Sequence, residues 1–222
     1  MDLLVELRRQ LSVLDLPVSE TAMGRLIWLQ TELLRWNRTH NLTAITDPRE
    51  ALEKHLVDSL TLLPYLPDTG RILDIGSGGG FPGLPVSIVR PELDVVSVDA
   101  VEKKIAFQRH ASRRLGLTGF HPWHGRIEKL AAESLSAGGF DLIVARAFTS
   151  LSGFVEMALP YLGEGGRLIA MKGPEGEREL LEAGNWLSER AVVCEQRVVL
   201  QLPVSKARRC LLILSQKHKI LQ

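Results

Sequence analysis

The sequence predicts a doubly wound α/β domain, with a mostly parallel seven-stranded sheet and an N-terminal helical extension. Three observations predict it. Short apolar runs alternate with helical stretches from residue 71 onward, a glycine-rich turn follows the first of these runs, and helical periodicity fills the first quarter.

Leu3, Leu4, Leu7, Leu11 and Leu14 recur at helical spacing until Pro17-Val18-Ser19 breaks the pattern. Ser19 is the expected N-cap of a second helix, with Met23, Leu26, Ile27, Leu29, Leu33, Leu34 and Trp36 on its apolar face. A third helix is expected after Asp47, with Pro48 in its first turn. It carries Leu52, His55, Leu56, Ser59 and Leu60. Strands are expected at 72–75, 95–98, 119–123, 141–145 and 167–171. Helices are expected near 84–89, 102–115, 127–132, 151–162 and 177–183. Two closing strands, 192–200 and 209–214, have no helix between them and predict an antiparallel pair at one edge. Residues 1–66 are thus expected as a helical extension packed on a domain of residues 67–222, in one compact unit.

Composition narrows the class without naming a partner. The 222 residues are 45% hydrophobic and 24% charged, which fits a globular protein and argues against disorder. With a net charge of +1, nucleic-acid binding has to rest on local basic patches. No apolar run approaches the ~20 residues that cross a bilayer, and the opening residues do not read as a signal peptide. A cytoplasmic protein is expected. Cys194 and Cys210 stand in apolar, strand-like stretches without metal-ligand spacing, and are expected as buried thiols.

The most informative segment is Leu73-Asp74-Ile75-Gly76-Ser77-Gly78-Gly79-Gly80-Phe81-Pro82-Gly83. It leaves the first strand and enters the next helix, where doubly wound sheets bind ligands. Asp99 closes the second strand, so its carboxylate is expected in the same crevice, accepting from ribose hydroxyls. Both features suit a dinucleotide or S-adenosylmethionine. Two details favour the methyl donor. Read from Gly76, the dinucleotide pattern has Phe81 at its sixth position, where glycine or alanine belongs; read from Gly78 it is satisfied, but that register begins past the strand end and contains Pro82. Asp74 would repel a pyrophosphate but suits a sulfonium cation.

Several further blocks sharpen the reading: Leu84-Pro85 and Ile88-Val89-Arg90-Pro91 after the loop, Trp36-Asn37 with Asn41-Leu42-Thr43, His55 with Asp58-Ser59-Leu60, Arg146-Ala147-Phe148, and Lys172-Gly173. In this order, over residues 33–173, the chain resembles the ribosomal RNA small-subunit methyltransferase G family, also called glucose-inhibited division protein B. The resemblance implies a Rossmann-like, class I S-adenosylmethionine-dependent methyltransferase that methylates N7 of one guanine in 16S ribosomal RNA. It implies donor contacts at Gly76 and Phe81 in the loop, where Gly78 is added from its place in the same turn, at Asp99 and Ala100 for the ribose, at Ile127 and Glu128 for the adenine, and at Arg146 on the pocket's edge. Asp74 joins this set from its place before the first glycine. The expected partner is 16S ribosomal RNA within the small subunit or an assembly intermediate; a monomer is expected, and nothing in the sequence implies a metal.

The chemistry agrees with that implication. Guanine N7 has a free lone pair and loses no proton on methylation, so alignment counts for more than a base or a nucleophile. Arg146 and Lys172 are the expected acceptor-side residues, able to bind O6 while leaving N7 open. Plainer roles stand beside these. His55 and Asp58 are either a local hydrogen bond or a polar pocket lining, and Asn37 and Asn41 either cap a helix or touch substrate. Trp123 and Trp186 are expected in the core, and Phe148 is the better candidate for base stacking. His121 and His124 lack the spacing of a metal site. Lys206, Arg208, Arg209, Lys217 and Lys219, with Arg8, Arg9, Arg35 and Arg38, form either a phosphate-binding face or a solvated surface. Methyl transfer to a small molecule or protein, a non-catalytic RNA-binding module and a dehydrogenase are the rival readings.

Overall fold

The computed structural model describes residues 2–130, 138–146 and 150–217. Helix α1 spans Leu3–Val13, capped by the Asp2 side chain on the amide of Leu4. Helix α2 spans Glu20–His40, and Ser19 accepts the amide of Ala22 as expected of its N-cap. Asp47 likewise caps the third helical segment, accepting the amides of Arg49 and Glu50. That segment, α3, runs α-helical over Pro48–Ala51, π-helical over Leu52–Val57 and α-helical again over Asp58–Leu60. The π stretch was not legible in the sequence, and such bulges gather at functional sites.

The strands are β1 Gly70–Ile75, β2 Leu93–Asp99, β3 Phe120–His124, β4 Phe140–Arg146, β5 Leu162–Lys172, β6 Val192–Gln201 and β7 Arg208–Gln216. They form one sheet in the order β3-β2-β1-β4-β5-β7-β6. The first five are parallel, and β7 runs antiparallel between β5 and β6. The order reverses beside β1, which opens the crevice between β1 and β4 at the carboxyl ends of the strands. Helices α4 Gly83–Val89 and α5 Glu102–Leu115 follow β1 and β2, and α6 Leu151–Ala158 precedes β5.

Four expected elements need correction. The helix expected over 151–162 ends at Ala158, because Pro160 lacks an amide hydrogen and the chain tightens into a 3₁₀ turn, Leu159–Tyr161. Strand β5 starts earlier than its apolar run, since Leu162 pairs with Phe140 across a bulge. Gly163 permits this, for a Cβ there would stand 2.8 Å from the Gly138 carbonyl. The helix expected over 177–183 becomes two, α7 Gly176–Glu182 and α8 Gly184–Glu189. The turn Ile127–Lys129 is 3₁₀, and residues 131–132 of the short helix expected there lie outside the described residues.

Two apolar layers sandwich the sheet. On one side Leu7, Leu11, Leu26, Leu29 and Leu33 of the first helices share a cluster with Phe81, Leu84 and Phe107, so α1 and α2 close the same core as the sheet. The other side holds Phe140, Phe154, Leu168 and Leu212, with Trp123 and Trp186 packed against it. Cys210 is buried, whereas Cys194 is only partly so, because it lies on the edge strand β6; both are free thiols. No described helix is long and apolar enough to cross a membrane.

Candidate active site

The glycine-rich loop turns back on itself at the end of β1. The amides of Gly76 and Ser77 donate to the Val98 carbonyl, and those of Gly80 and Phe81 to Ser77. Gly76 and Gly78 have φ of 68° and 58°, a region that costs any other L-residue energy. A Cβ at either would meet no protein atom within 4 Å, so the space beside the loop is open. From α5, the buried Gln108 amide donates to Ser77 Oγ and to the Gly78 carbonyl, each at 2.8 Å.

That open space is a cavity of about 310 Å³, at the small end of ligand pockets. Gly76, Gly78, Phe81 and Arg146 line it, together with Leu33 of α2, Thr43, His55 and Lys104. The N-terminal helices therefore supply part of the wall. Asp99 borders the loop: its Oδ2 accepts the Gly78 amide and its Oδ1 the Val101 amide, each at 2.8 Å. Each oxygen keeps a further lone pair for a ligand hydroxyl. Lys104 Nζ stands 4.0 Å from the same carboxylate.

Asp74 sits differently. Its carboxylate is sealed under the loop, with Oδ2 accepting the Gly83 amide at 2.9 Å and Oδ1 without a partner. Burial pushes this carboxyl up to about 7, against the opposing pull of the Gly83 hydrogen bond. Asp99, Ala100, Ile127 and Glu128 do not line the cavity either, although Asp99 bonds to the loop that does. Ala100 and Glu128 are exposed, and Ile127 is buried with its carbonyl accepting the Tyr161 hydroxyl. They follow β2 and β3, the strands next outward from β1.

A second cavity of about 300 Å³ is lined by Lys54, His55, Asp58, Arg146, Met171, Lys172 and Arg209, among others. His55 and Arg146 border both cavities, so the two share a wall. Arg146 is held by the Lys54 carbonyl at 2.7 Å and lies 5.6 Å from the centre of the Phe81 ring. The His55 ring stacks on Phe81 at 4.9 Å, and its Nε2 meets Thr43 Oγ1 at 3.0 Å. Burial, with Arg146 and Lys54 adding to it, lowers His55 to about 3, so the imidazole stays neutral at physiological pH. Lys172, at the end of β5, pairs with Glu179 at 2.7 Å.

Among the open alternatives, His55 and Asp58 both line the second cavity, each bonded to other partners rather than to one another. Asn37 is a turn brace: Oδ1 accepts the amides of Leu42 and Thr43, and Nδ2 donates to the Thr43 carbonyl. Asn41 is a left-handed C-cap. The basic residues do not make one free face, since Arg8, Arg9, Arg35 and Arg208 pair with Glu20, Glu6, Glu32 and Glu177. His121 and His124 pair with Asp94 and Glu102. Phe148 and Lys219 lie outside the described residues. Sequence reasoning missed Gln108 and Lys104 as site residues, and named Thr43 only within a block of the family resemblance and Arg209 only among the candidate phosphate-binding residues. Gln108 alone carried a signal, as a polar residue on the buried stripe of α5 between Ile105 and Ala111.

Comparisons with known proteins agree with this architecture. A similar fold occurs in the Bacillus subtilis M1A22 tRNA methyltransferase TrmK, at TM-score 0.57 and 15% identity, covering 72% of this chain and 65% of that one. Pyrococcus horikoshii TYW2, solved with MeSAdo, gives 0.56 at 13% identity over 72% and 61% of the two chains. Sequence relatives are nearer. The ribosomal RNA small subunit methyltransferase G of Syntrophotalea carbinolica is 46% identical over 211 residues, covering 95% of this chain and 97% of its own. That of Geobacter metallireducens is 45% identical over 218 residues, covering 98% and 97%. The family model described as rRNA small subunit methyltransferase G matches residues 23–211. The chain belongs to the rRNA small subunit methyltransferase G family.

Proposed function

We propose that this protein uses S-adenosylmethionine to methylate N7 of a guanine in 16S ribosomal RNA. The observation that carries the reading is the pair of adjoining cavities that share Arg146 and His55. One is bounded by the glycine loop and suits the donor; the other, lined by cations, suits the acceptor nucleotide. When bound, S-adenosylmethionine supplies an electrophilic methyl group on a sulfonium centre.

On the donor side, the open backbone at Gly76 and Gly78 would admit the ligand, Phe81 would form an apolar wall, and Asp99 would accept from its ribose hydroxyls. Ala100, Ile127 and Glu128, beyond the ends of β2 and β3, would hold its adenine. The Gly125 amide, which donates to the Asp99 carbonyl at 3.0 Å, ties those strand ends together. Asp74 braces the loop from below, its buried carboxyl accepting the Gly83 amide.

On the acceptor side, Arg146 orders the shared wall and Lys172 presents a cation to the O6 edge of the base. N7 itself needs only alignment with the methyl group, an effect worth up to ~7–11 kcal/mol of the barrier. Neutral His55 adds no charge beside the cation that N7 methylation creates. The enzyme works as a monomer in the cytoplasm, on the small subunit or an assembly intermediate.

The test is donor binding followed by transfer of labelled methyl to small subunits lacking this modification, to free ribosomal RNA and to bulk metabolites. Label on N7 of a single small-subunit guanine is expected. Label confined to metabolites overturns the proposal, and donor binding without transfer favours a non-catalytic module.

A further inference from the structure

The second cavity gathers Lys54, Arg146, Lys172 and Arg209. Lys54 and Lys172 each have a carboxylate of their own, Glu50 at 2.6 Å and Glu179 at 2.7 Å. The two arginines share one. Asp58 Oδ1 accepts from Arg209 Nε at 2.8 Å, and Asp58 Oδ2 lies 3.6 Å from an Arg146 guanidinium nitrogen. Asp58 is buried, at 4% exposure, so its charge is spent on these partners rather than on water. Among the described residues these four cations meet three carboxylates, which leaves one positive charge over.

The two guanidiniums come from β4 and β7, which flank β5, and they repel one another. They are not held alike. Arg146 has the Lys54 carbonyl as a second anchor. Among the described residues, Arg209 donates beyond Asp58 only to the Arg208 carbonyl at 3.2 Å, which leaves one guanidinium nitrogen without an acceptor among them. Arg209 lines the second cavity and not the first. It therefore stands on the side away from the donor, where the sugar-phosphate of a base presented at the shared wall must run.

We propose that Arg209 receives the phosphate beside the acceptor nucleotide, and that Asp58 is the positioning residue that keeps Arg209 and Arg146 on one cavity. This rests on the reading of the second cavity as the acceptor site. A planar fork with spare donors matches phosphate oxygens. Without the Asp58 carboxylate, repulsion turns the Arg146 guanidinium away from the acceptor side while the Lys54 carbonyl still anchors it at the shared wall.

The test uses the full chain and small subunits lacking the methyl group. Arg209→Gln is expected to raise KM for the particle about tenfold, with a smaller change in kcat, and to flatten the dependence of log(kcat/KM) on log salt by about 0.7–1, the loss of one phosphate contact. Arg209→Lys keeps the wild-type salt slope. Asp58→Asn is expected to cut kcat about thirtyfold while donor affinity stays within about threefold, since Arg146 keeps its carbonyl anchor. Asp58→Asn/Arg209→Gln recovers most of that kcat loss with KM still raised, because the repelling partner is gone. A general loss of structure would show no such rescue.

An Arg209→Gln enzyme with wild-type KM and salt slope overturns the phosphate role, whatever the fate of the Asp58 variants. A double variant no faster than Asp58→Asn overturns the positioning role. Wild-type protein that leaves small-subunit RNA unmethylated overturns the acceptor-site reading beneath both.

Discussion

The Asp74 carboxylate accepts the amide of Gly83 at 2.9 Å, joining the end of β1 to the start of α4 beneath the glycine loop. The contact leaves no room for a side chain at residue 83. A Cβ there would stand 2.9 Å from Asp74 Oδ2, 3.2 Å from Phe120 and 3.4 Å from Val95. Gly83→Ala is therefore expected to destabilise the fold by ~1–3 kcal/mol, the cost of overpacking a closed site. Urea denaturation at fixed pH measures it, and an unchanged midpoint would show that the loop relaxes freely.

Asp74 also writes a pH dependence into stability. Its folded value, raised to about 7 from 3.8, means the folded chain holds this proton where the unfolded chain has released it. Its contribution is full below about pH 4, falls as pH rises toward 7, and is flat above. The stability of wild type relative to Asp74→Asn is expected to decline across that window, as read by denaturation at pH 4.5, 5.5, 6.5 and 8. A difference that rises with pH would refute the assignment.

His55 acts with the opposite sign. Its folded value near 3 lies below the ordinary 6.5, so its contribution is present above pH 6.5 and is lost as pH falls toward 3. His55→Gln is expected to lose less stability than wild type between pH 7 and 4.5. Because His55 does not titrate near neutrality, the variant's activity, however reduced, should keep the wild-type pH profile from 6 to 9. A limb that disappears with the imidazole would reverse this conclusion.

Gly78 and Gly80 separate ligand space from packing. Both have positive φ, yet a Cβ at Gly78 meets nothing within 4 Å, whereas one at Gly80 falls 2.5 Å from Leu84. Gly78→Ala is expected to cost ~1–2 kcal/mol of stability for its left-handed backbone and to weaken donor binding by at least about tenfold. Gly80→Ala adds an internal clash and is expected to lower the melting temperature further. Calorimetry with the donor and thermal unfolding of both variants give the comparison; equal donor affinity for Gly78→Ala and wild type would remove the loop from the binding site.

Asp99→Asn tests the ribose contact. The substitution keeps the shape but removes the charge that strengthens bonds to hydroxyl donors, an effect of ~1.5–3 kcal/mol, or roughly 10–100-fold in donor affinity. The demethylated product shares the ribose and should weaken in parallel. Product affinity unchanged by the substitution would contradict the assignment.

The sequence by itself determined the alternation of strands and helices, the antiparallel closing pair, the caps at Ser19 and Asp47, and the glycine loop with Asp99 at the next strand's end. These follow from local rules: periodicity, capping geometry and the turn chemistry of glycine. It also singled out Arg146, His55 and Asp58, which a helix face and a strand end present to the crevice. Tertiary structure decided what these residues touch. Asp74 became a sealed brace because α4 brings the Gly83 amide over it. The second helix after β5, the early start of β5 and the π turn around His55 arose from pairing and packing that no local window contains. Arg209 reads in sequence as one more basic residue near the chain's end. Only the insertion of β7 between β5 and β6 carries it to Asp58, 151 residues earlier, since strand order sets which distant side chains share a cavity.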